Sequence, residues 1–135
     1  AKERGELVTR TFLDRHGAEF SGFTTPQAIE TERAMLRLET AGRGMAEPLA
    51  SPMTAARTVA RAARQSARSG YAWTDDQKRA TAQLLTSRDR VAAVQGYAGT
   101  AKTTTVLATY AREAQRCGLA VTALAPTASA AMVLG

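Results

Sequence analysis

Regularly spaced apolar positions predict amphipathic helices in the first half of the chain. Ile29 and Leu36 stand one heptad apart, which places both on one face of a helix. Thr25 followed by Pro26 is a favourable helix start, because threonine caps the first turn and proline suits the first helical position. We therefore predict a helix that runs from this start to about Ala41.

The regions on either side of this helix are less regular. The β-branched stretch over residues 7–13 suits a strand or a short helix, and both alternatives stay open. Residues 17–22 begin and end with glycine and indicate a turn. Residues 42–53 contain two glycines and two prolines, so they predict a linker. We expect residues 1–50 to form a mainly helical amino-terminal segment.

A second helix is predicted from about Ser51 or Thr54 to Ser69, and it carries a row of arginines. The row consists of Arg57, Arg61, Arg64 and Arg68. Their spacings of four, three and four residues place all four on one helix face, and no acidic residue lies between positions 54 and 69. A phosphate-binding surface and an ordinary solvated face both remain open as interpretations of this row.

The second half of the chain alternates helix-like and strand-like segments. A capping box opens a predicted helix over residues 74–86. The apolar runs at 91–95 and 119–124 predict strands covered on both faces, and residues 102–116 predict a helix between them. Strand, helix and strand form a βαβ unit with a right-handed crossover. The pattern predicts an α/β fold with a parallel sheet over residues 51–135.

Composition sets broad limits on the protein. The 135 residues carry a formal net charge of +6, which is compatible with nucleic-acid binding but does not require it. The single cysteine excludes an internal disulfide, and the single histidine excludes a multi-histidine metal site. Apolar runs stay well short of the roughly 18 residues that cross a membrane. We expect no membrane insertion and a cytoplasmic location, and the start without methionine leads us to expect a piece of a larger protein.

Residues 96–103 carry the strongest chemical signal. They follow an apolar run, open a helix and nearly match the phosphate-loop spacing G-x-x-x-x-G-K-[ST]. Such a loop directs backbone N–H groups at phosphates, Lys102 adds a full positive charge, and Thr103 offers its hydroxyl to Mg²⁺. Ala101 stands where the second glycine is expected, so we expect an adapted loop. The alternative is an ordinary glycine-rich turn.

Three ordered motifs resemble those of superfamily 1 DNA helicases. They are Trp73-Thr74-x-x-Gln77, the loop Gly96 to Thr104, and Ala125-Pro126-Thr127-x-x-Ala130-Ala131. The similarity is greatest to the RecD-like branch, and within it to the helicase region of conjugative relaxase-helicases of the TraI type. The resemblance implies the start of a RecA-like P-loop motor domain within an ATP-dependent helicase of the bacterial cytoplasm. It also implies single-stranded plasmid DNA and the remaining domains of the parent protein as partners.

The resemblance further implies roles for individual residues. Lys102 would contact the phosphates of ATP and, with the Mg²⁺-binding Thr103, serve catalysis. Gln77 would contact the adenine edge, while its capping role is an equally open alternative. The implied nucleotide-binding set is Gln77, Gly96, Gly99, Thr100, Ala101, Lys102, Thr103 and Thr104.

A single-strand DNA contact is implied near the end of the chain. Pro126, Thr127 and Ser129 lie in a motif that contacts a DNA phosphate in the family, although a strand-to-helix turn with a threonine cap is the alternative. The family's Mg²⁺-orienting acidic motif, its γ-phosphate-sensing arginine and its second motor domain have no counterpart in these residues. We therefore expect negligible ATP hydrolysis.

Two other functions stay open. The chain suits a degenerate motor copy that acts only as a single-stranded-DNA-binding module. A small-molecule kinase is a further alternative, against which the motif at 125–131 argues.

Overall fold

The computed structural model describes residues 6–97 and 99–124, which fall into two compact units. The first unit ends at Gly42, and the second begins at Arg43. Among the described residues, no helix combines the length and the apolar character that a membrane crossing requires.

The first unit consists of a β-hairpin and one helix. Strand β1, Val8–Leu13, pairs antiparallel with β2, Glu19–Thr24. Of the two alternatives for residues 7–13, a strand or a short helix, the structure has the strand. Helix α1, Pro26–Ala41, begins at Thr25, whose hydroxyl accepts a hydrogen bond from the Ala28 N–H at 3.1 Å. The predicted start and end of this helix are confirmed.

The hairpin turn is shorter than the sequence indicated, so residues 19–22 belong to β2. The Asp14 carboxylate closes the turn by accepting from the backbone N–H groups of His16 and Ala18, at 2.7 and 2.8 Å. Gly22 lies within β2, and the Phe12 ring occupies the space that a side chain at position 22 would need. A Cβ on Gly22 would lie 2.8 Å from Phe12 Cε2.

The second unit is built on three helices. Helix α2 is Pro52–Arg68, α3 is Asp75–Thr86, and α4 is Ala108–Arg116, which is preceded by a π-helical turn over Thr103–Leu107. Aliphatic side chains and one tryptophan pack between them. The buried core cluster consists of Ala50, Ala55, Val59, Trp73 and Leu85.

The predicted linker joins this core. Backbone N–H groups of Ala46 and Ala50 donate to the carbonyls of Arg88 and Leu85 at 2.7 and 3.0 Å, and Ala50 is buried. These bonds satisfy backbone groups at and just beyond the carboxyl end of α3, where a helix leaves carbonyls without partners. The stretch before α2 is irregular in conformation but packs as part of the second unit.

Neither predicted strand of the βαβ unit forms in the structure. Residues 91–95 and 119–124 contain no strand, and the hairpin is the one sheet within the described ranges. Val91 and Leu119 are 50% and 52% exposed, whereas buried parallel strands are covered on both faces. A strand also needs a hydrogen-bonded neighbour, which an apolar run cannot supply by itself. The structure mixes helices and strands, and a parallel RecA-like sheet is not confirmed.

Candidate phosphate-binding loop

The described residues of the loop, 96–97 and 99–102, are linked by short-range hydrogen bonds. The Thr100 hydroxyl donates to the Tyr97 carbonyl at 2.8 Å. Gly99 has a φ of +76°, a left-handed conformation that glycine adopts without steric penalty. The predicted glycine-rich loop is thus a built turn that leads directly into the π-helical turn.

The ammonium of Lys102 lies inside this loop. Nζ donates to the carbonyls of Gly96 and Tyr97 at 2.6 and 2.7 Å, and it lies 3.2 Å from the Thr100 hydroxyl. A Cβ on Gly96 would meet Lys102 Cδ and Thr100 Oγ1 at 3.2 Å each, which is closer than ordinary van der Waals contact. Glycine at position 96 therefore leaves room for the lysine side chain.

Ala101 explains why the motif favours glycine at this position. Its φ is +52°, and it is the one described non-glycine residue with a positive φ. A side chain in this region costs roughly 1–2 kcal/mol. Glycine is therefore favoured at this position by the backbone conformation itself.

The helix after the loop begins with widened turns. The Leu107 N–H donates to the Lys102 carbonyl at 2.9 Å, five residues back, which is the π-helical pattern. The hydroxyls of Thr104 and Thr105 both donate to the Ala101 carbonyl, at 3.4 and 2.6 Å. The Thr103 hydroxyl, by contrast, has no hydrogen-bond partner in the described part of the chain. π-Helical turns occur frequently at functional sites.

Gln77 connects helix α3 to the loop. Its Oε1 accepts from the Thr74 N–H at 2.9 Å, and its own N–H donates to the Thr74 hydroxyl at 3.2 Å, so the predicted capping box is confirmed. Its Nε2 donates to the Thr100 carbonyl at 2.9 Å. The amide oxygen and one amide hydrogen are thus committed, and the adenine contact stays a prediction. Sequence reasoning missed the bond to Thr100, because the capping signature gives no sign of a contact 23 residues away.

Trp73 anchors the start of α3. It is 8% exposed and belongs to the buried core cluster. This position is that of a packing residue in the core, and not that of a side chain that lies free beside a base.

The four arginines of the predicted row lie on the exposed surface of α2. Sequence reasoning missed an acid that α4 brings close to them. Glu113 is 3% exposed, and the guanidinium of Arg116 donates to both of its carboxylate oxygens, at 2.7 and 3.3 Å. The Arg116 hydrogen bond lowers the pKa of Glu113 against the opposing effect of burial, and the charge of Arg61 lowers it further. Arg61 and Glu113 thus line the same cavity between α2 and α4.

Two predicted features have no structural description. Pro126, Thr127 and Ser129 lie outside the described residues. Within residues 6–97 and 99–124, no three side chains of His, Cys, Asp or Glu form a group that could hold a metal ion. For Mg²⁺, the predicted ligand is the Thr103 hydroxyl.

Comparison with known proteins places the loop within a recognised family model. Residues 72–135 match a family described as an AAA domain. No curated protein and no solved structure gave a significant match. The matched segment contains both Gln77 and the whole loop, but the match does not extend to the conjugative relaxase type. Residues 72–135 are therefore similar to a P-loop, helicase-like nucleoside-triphosphatase domain of the RecD-like kind.

Proposed function

We propose that this chain supplies the phosphate-binding loop for Mg-ATP in a RecD-like DNA helicase of the conjugative relaxase-helicase type. The observation that carries the proposal is the position of Lys102 Nζ, 2.6 and 2.7 Å from two backbone carbonyls of its own loop. These acceptors are neutral. A phosphate oxyanion is a stronger partner for an ammonium, so a nucleotide can replace them.

The residues around the loop fit a triphosphate with Mg²⁺. ATP supplies the phosphoanhydride whose hydrolysis drives a helicase. Lys102 binds its phosphates, and backbone N–H groups of Gly99, Thr100 and Ala101 add neutral donors at the start of a helix. The uncommitted Thr103 hydroxyl is the ligand for the metal ion. Gln77 holds the Thr100 carbonyl and so fixes the position of the loop.

Catalytic turnover requires more than this loop. Glu113 is the one acidic residue after position 96, and Arg116 already binds its carboxylate. It is therefore unsuited to orient Mg²⁺ or an attacking water. We expect the chain by itself to hydrolyse ATP far more slowly than about 1 s⁻¹, a typical lower rate for enzymes.

Nucleotide binding tests the proposal directly. A fluorescent ATP analogue with Mg²⁺ is titrated into the chain and into Lys102→Ala. We expect Lys102→Ala to weaken binding by about tenfold or more, because a charge-assisted contact is lost. The matched control is Lys78→Ala, which removes an exposed lysine that pairs with Asp75 at 2.9 Å on the surface of α3. Equal affinity of the Lys102 and Lys78 variants would contradict the proposal.

The exposed arginines of α2 favour a second candidate, a module that binds single-stranded DNA without a motor function. The row Arg57, Arg61, Arg64 and Arg68 would contact the DNA backbone, together with Pro126, Thr127 and Ser129. A DNA-only module binds an oligonucleotide but not Mg-ATP. The slope of the logarithm of DNA affinity against the logarithm of salt concentration reports the number of phosphate contacts. Replacing Arg57 and Arg64 by glutamine should then lower the magnitude of this slope by the equivalent of about two contacts.

A further inference from the structure

A polar groove lies between α2 and α4 in the second unit. One of its cavities, of about 200 Å³, has a lining that includes Gln65, Ser69, Trp73, Thr104, Thr109 and Arg112. An adjoining cavity of about 280 Å³ shares Gln65, Thr109 and Arg112 and adds Arg61, Glu113 and Arg116. The shared lining residues place the two cavities side by side, and together they form the groove.

Two buried hydrogen-bond donors at the floor of the groove lack acceptors. Trp73 Nε1 and Thr109 Oγ1 have no partner in the described part of the chain, although their residues are only 8% and 5% exposed. An indole N–H can only donate, so Trp73 requires an acceptor. Buried polar groups without partners are rare in folded proteins and call for an explanation.

The charges along the groove favour an anion as that acceptor. Three guanidinium groups face one carboxylate, and Glu113 is already bound by Arg116 through two contacts. Arg112 donates through Nε to the Ala108 carbonyl at 3.1 Å and pairs with no carboxylate among the described residues. The groove therefore combines excess positive charge at its rim with unpaired neutral donors at its floor.

We propose that this groove is a second phosphate-binding site, separate from the loop at Lys102. Donors reach it from three elements: α2, the connection that carries Trp73, and α4. A tetrahedral phosphate presents oxygens in several directions and can meet donors from all three, whereas a planar carboxylate has only two oxygens. Guanidinium groups also match phosphate oxygens in pairs. The proposal does not depend on nucleotide binding at the loop.

The single tryptophan provides a direct probe, since the chain gives one indole N–H signal in a ¹H–¹⁵N spectrum. Inorganic phosphate is titrated at constant ionic strength into the Lys102→Ala chain, which lacks the lysine of the loop. We expect the Trp73 signal to shift with saturation. Thr109→Val and Arg112→Gln should each weaken this binding by about tenfold, because each removes a donor to an anion. Arg90→Gln, which removes an exposed arginine outside the groove, should leave it unchanged.

A short oligothymidylate, titrated in the same way, identifies the source of the phosphate. A saturating shift with the oligonucleotide indicates a nucleic-acid backbone, and a shift with inorganic phosphate alone indicates a free phosphate or a monoester. The proposal fails if neither probe moves the Trp73 signal or if chloride moves it equally. It also fails if the Thr109→Val and Arg112→Gln variants both bind inorganic phosphate as tightly as the Arg90→Gln variant does.

Discussion

Ala101 holds a backbone conformation that residues with a side chain rarely adopt, with φ at +52°. Ala101→Gly should raise the free energy of unfolding by about 1 kcal/mol, because the steric strain of the left-handed region is relieved. Urea unfolding measures this change. The control is Ala111→Gly within α4, which should lower stability by about 0.5–1 kcal/mol. A loss of stability in Ala101→Gly would show that the strain is not present.

Thr109 and Thr105 are both buried, but replacing each by valine should change the stability of the chain in opposite directions. Thr109 has an unpartnered hydroxyl, whereas the Thr105 hydroxyl donates to the Ala101 carbonyl at 2.6 Å. In phosphate-free buffer, Thr109→Val should stabilise the chain by about 1 kcal/mol, and Thr105→Val should destabilise it by a similar amount. Equal losses in the two variants, measured by thermal unfolding, would contradict this assignment.

The sequence indicated where the loop lies but not which distant residues approach it. The order of Lys102 and Thr103 after glycines is a local signal, so it was visible in the printed sequence. The hydrogen bond from Gln77 to Thr100 and the shared cavity lining of Arg61 and Glu113 bring together residues far apart in the chain. A single sequence carries no pattern from which such pairings follow.

Among the elements, α3 is linked to the loop through the side chain of Gln77, which donates to the Thr100 carbonyl. Gln77→Glu keeps the acceptor of the capping box but loses the donor to the Thr100 carbonyl. We expect hydrogen exchange at residues 99–102 to accelerate about fivefold, as for the loss of one hydrogen bond, while α3 stays protected. Gln83→Glu on the exposed side of α3 is the control. Unchanged exchange in the loop would show that Gln77 does not hold it.

Helix α4 should lose stability in acid because of Glu113. Arg116 and Arg61 lower its pKa below the ordinary value of 4.5, so the stabilisation is complete above that value and is lost as the pH falls through the lowered pKa. At pH values below about 4.5, we expect the urea concentration at the unfolding midpoint to decrease. This decrease should be smaller in Glu113→Gln. Arg116→Gln should reverse this contribution, because burial then raises the pKa of Glu113. A raised pKa makes the chain more stable, and not less stable, as the pH falls through it.

Glu47→Gln is the control for this pH dependence, since the Glu47 side chain is 90% exposed. It should unfold with the same acid profile as the unmodified chain. If Glu113→Gln also unfolded with the same acid profile as the unmodified chain, Glu113 would not be the cause of the loss of stability in acid.

The elements that the sequence predicted well are helices that begin with a capping side chain. Thr25, Ser51 and Thr74 begin the helices α1, α2 and α3, because their side chains satisfy the first N–H groups locally. Strand β2 was missed, because the turn before it depends on the Asp14 carboxylate and not on its glycines alone. The runs at 91–95 and 119–124 had strand-like composition, but strand formation depends on partners elsewhere in space.

At the scale of the whole chain, the second unit extends further towards the amino terminus than the family match. The match covers residues 72–135, whereas Ala50, Ala55 and Val59 belong to the same core as Trp73 and Leu85. We therefore predict that residues 43–135 unfold cooperatively, whereas residues 72–135 alone do not. Urea unfolding followed by circular dichroism measures both. A cooperative transition of the shorter chain at the same midpoint would contradict this core.

The central claim is that the loop at Lys102 holds nucleotide phosphates. A crystal structure of the chain with Mg²⁺ and a non-hydrolysable ATP analogue at saturating concentration tests it most directly. We expect Lys102 Nζ to leave the carbonyls of Gly96 and Tyr97 and to lie within hydrogen-bond distance of the triphosphate. A loop without nucleotide, in which Nζ still contacts both carbonyls at 2.6 and 2.7 Å, would contradict the account.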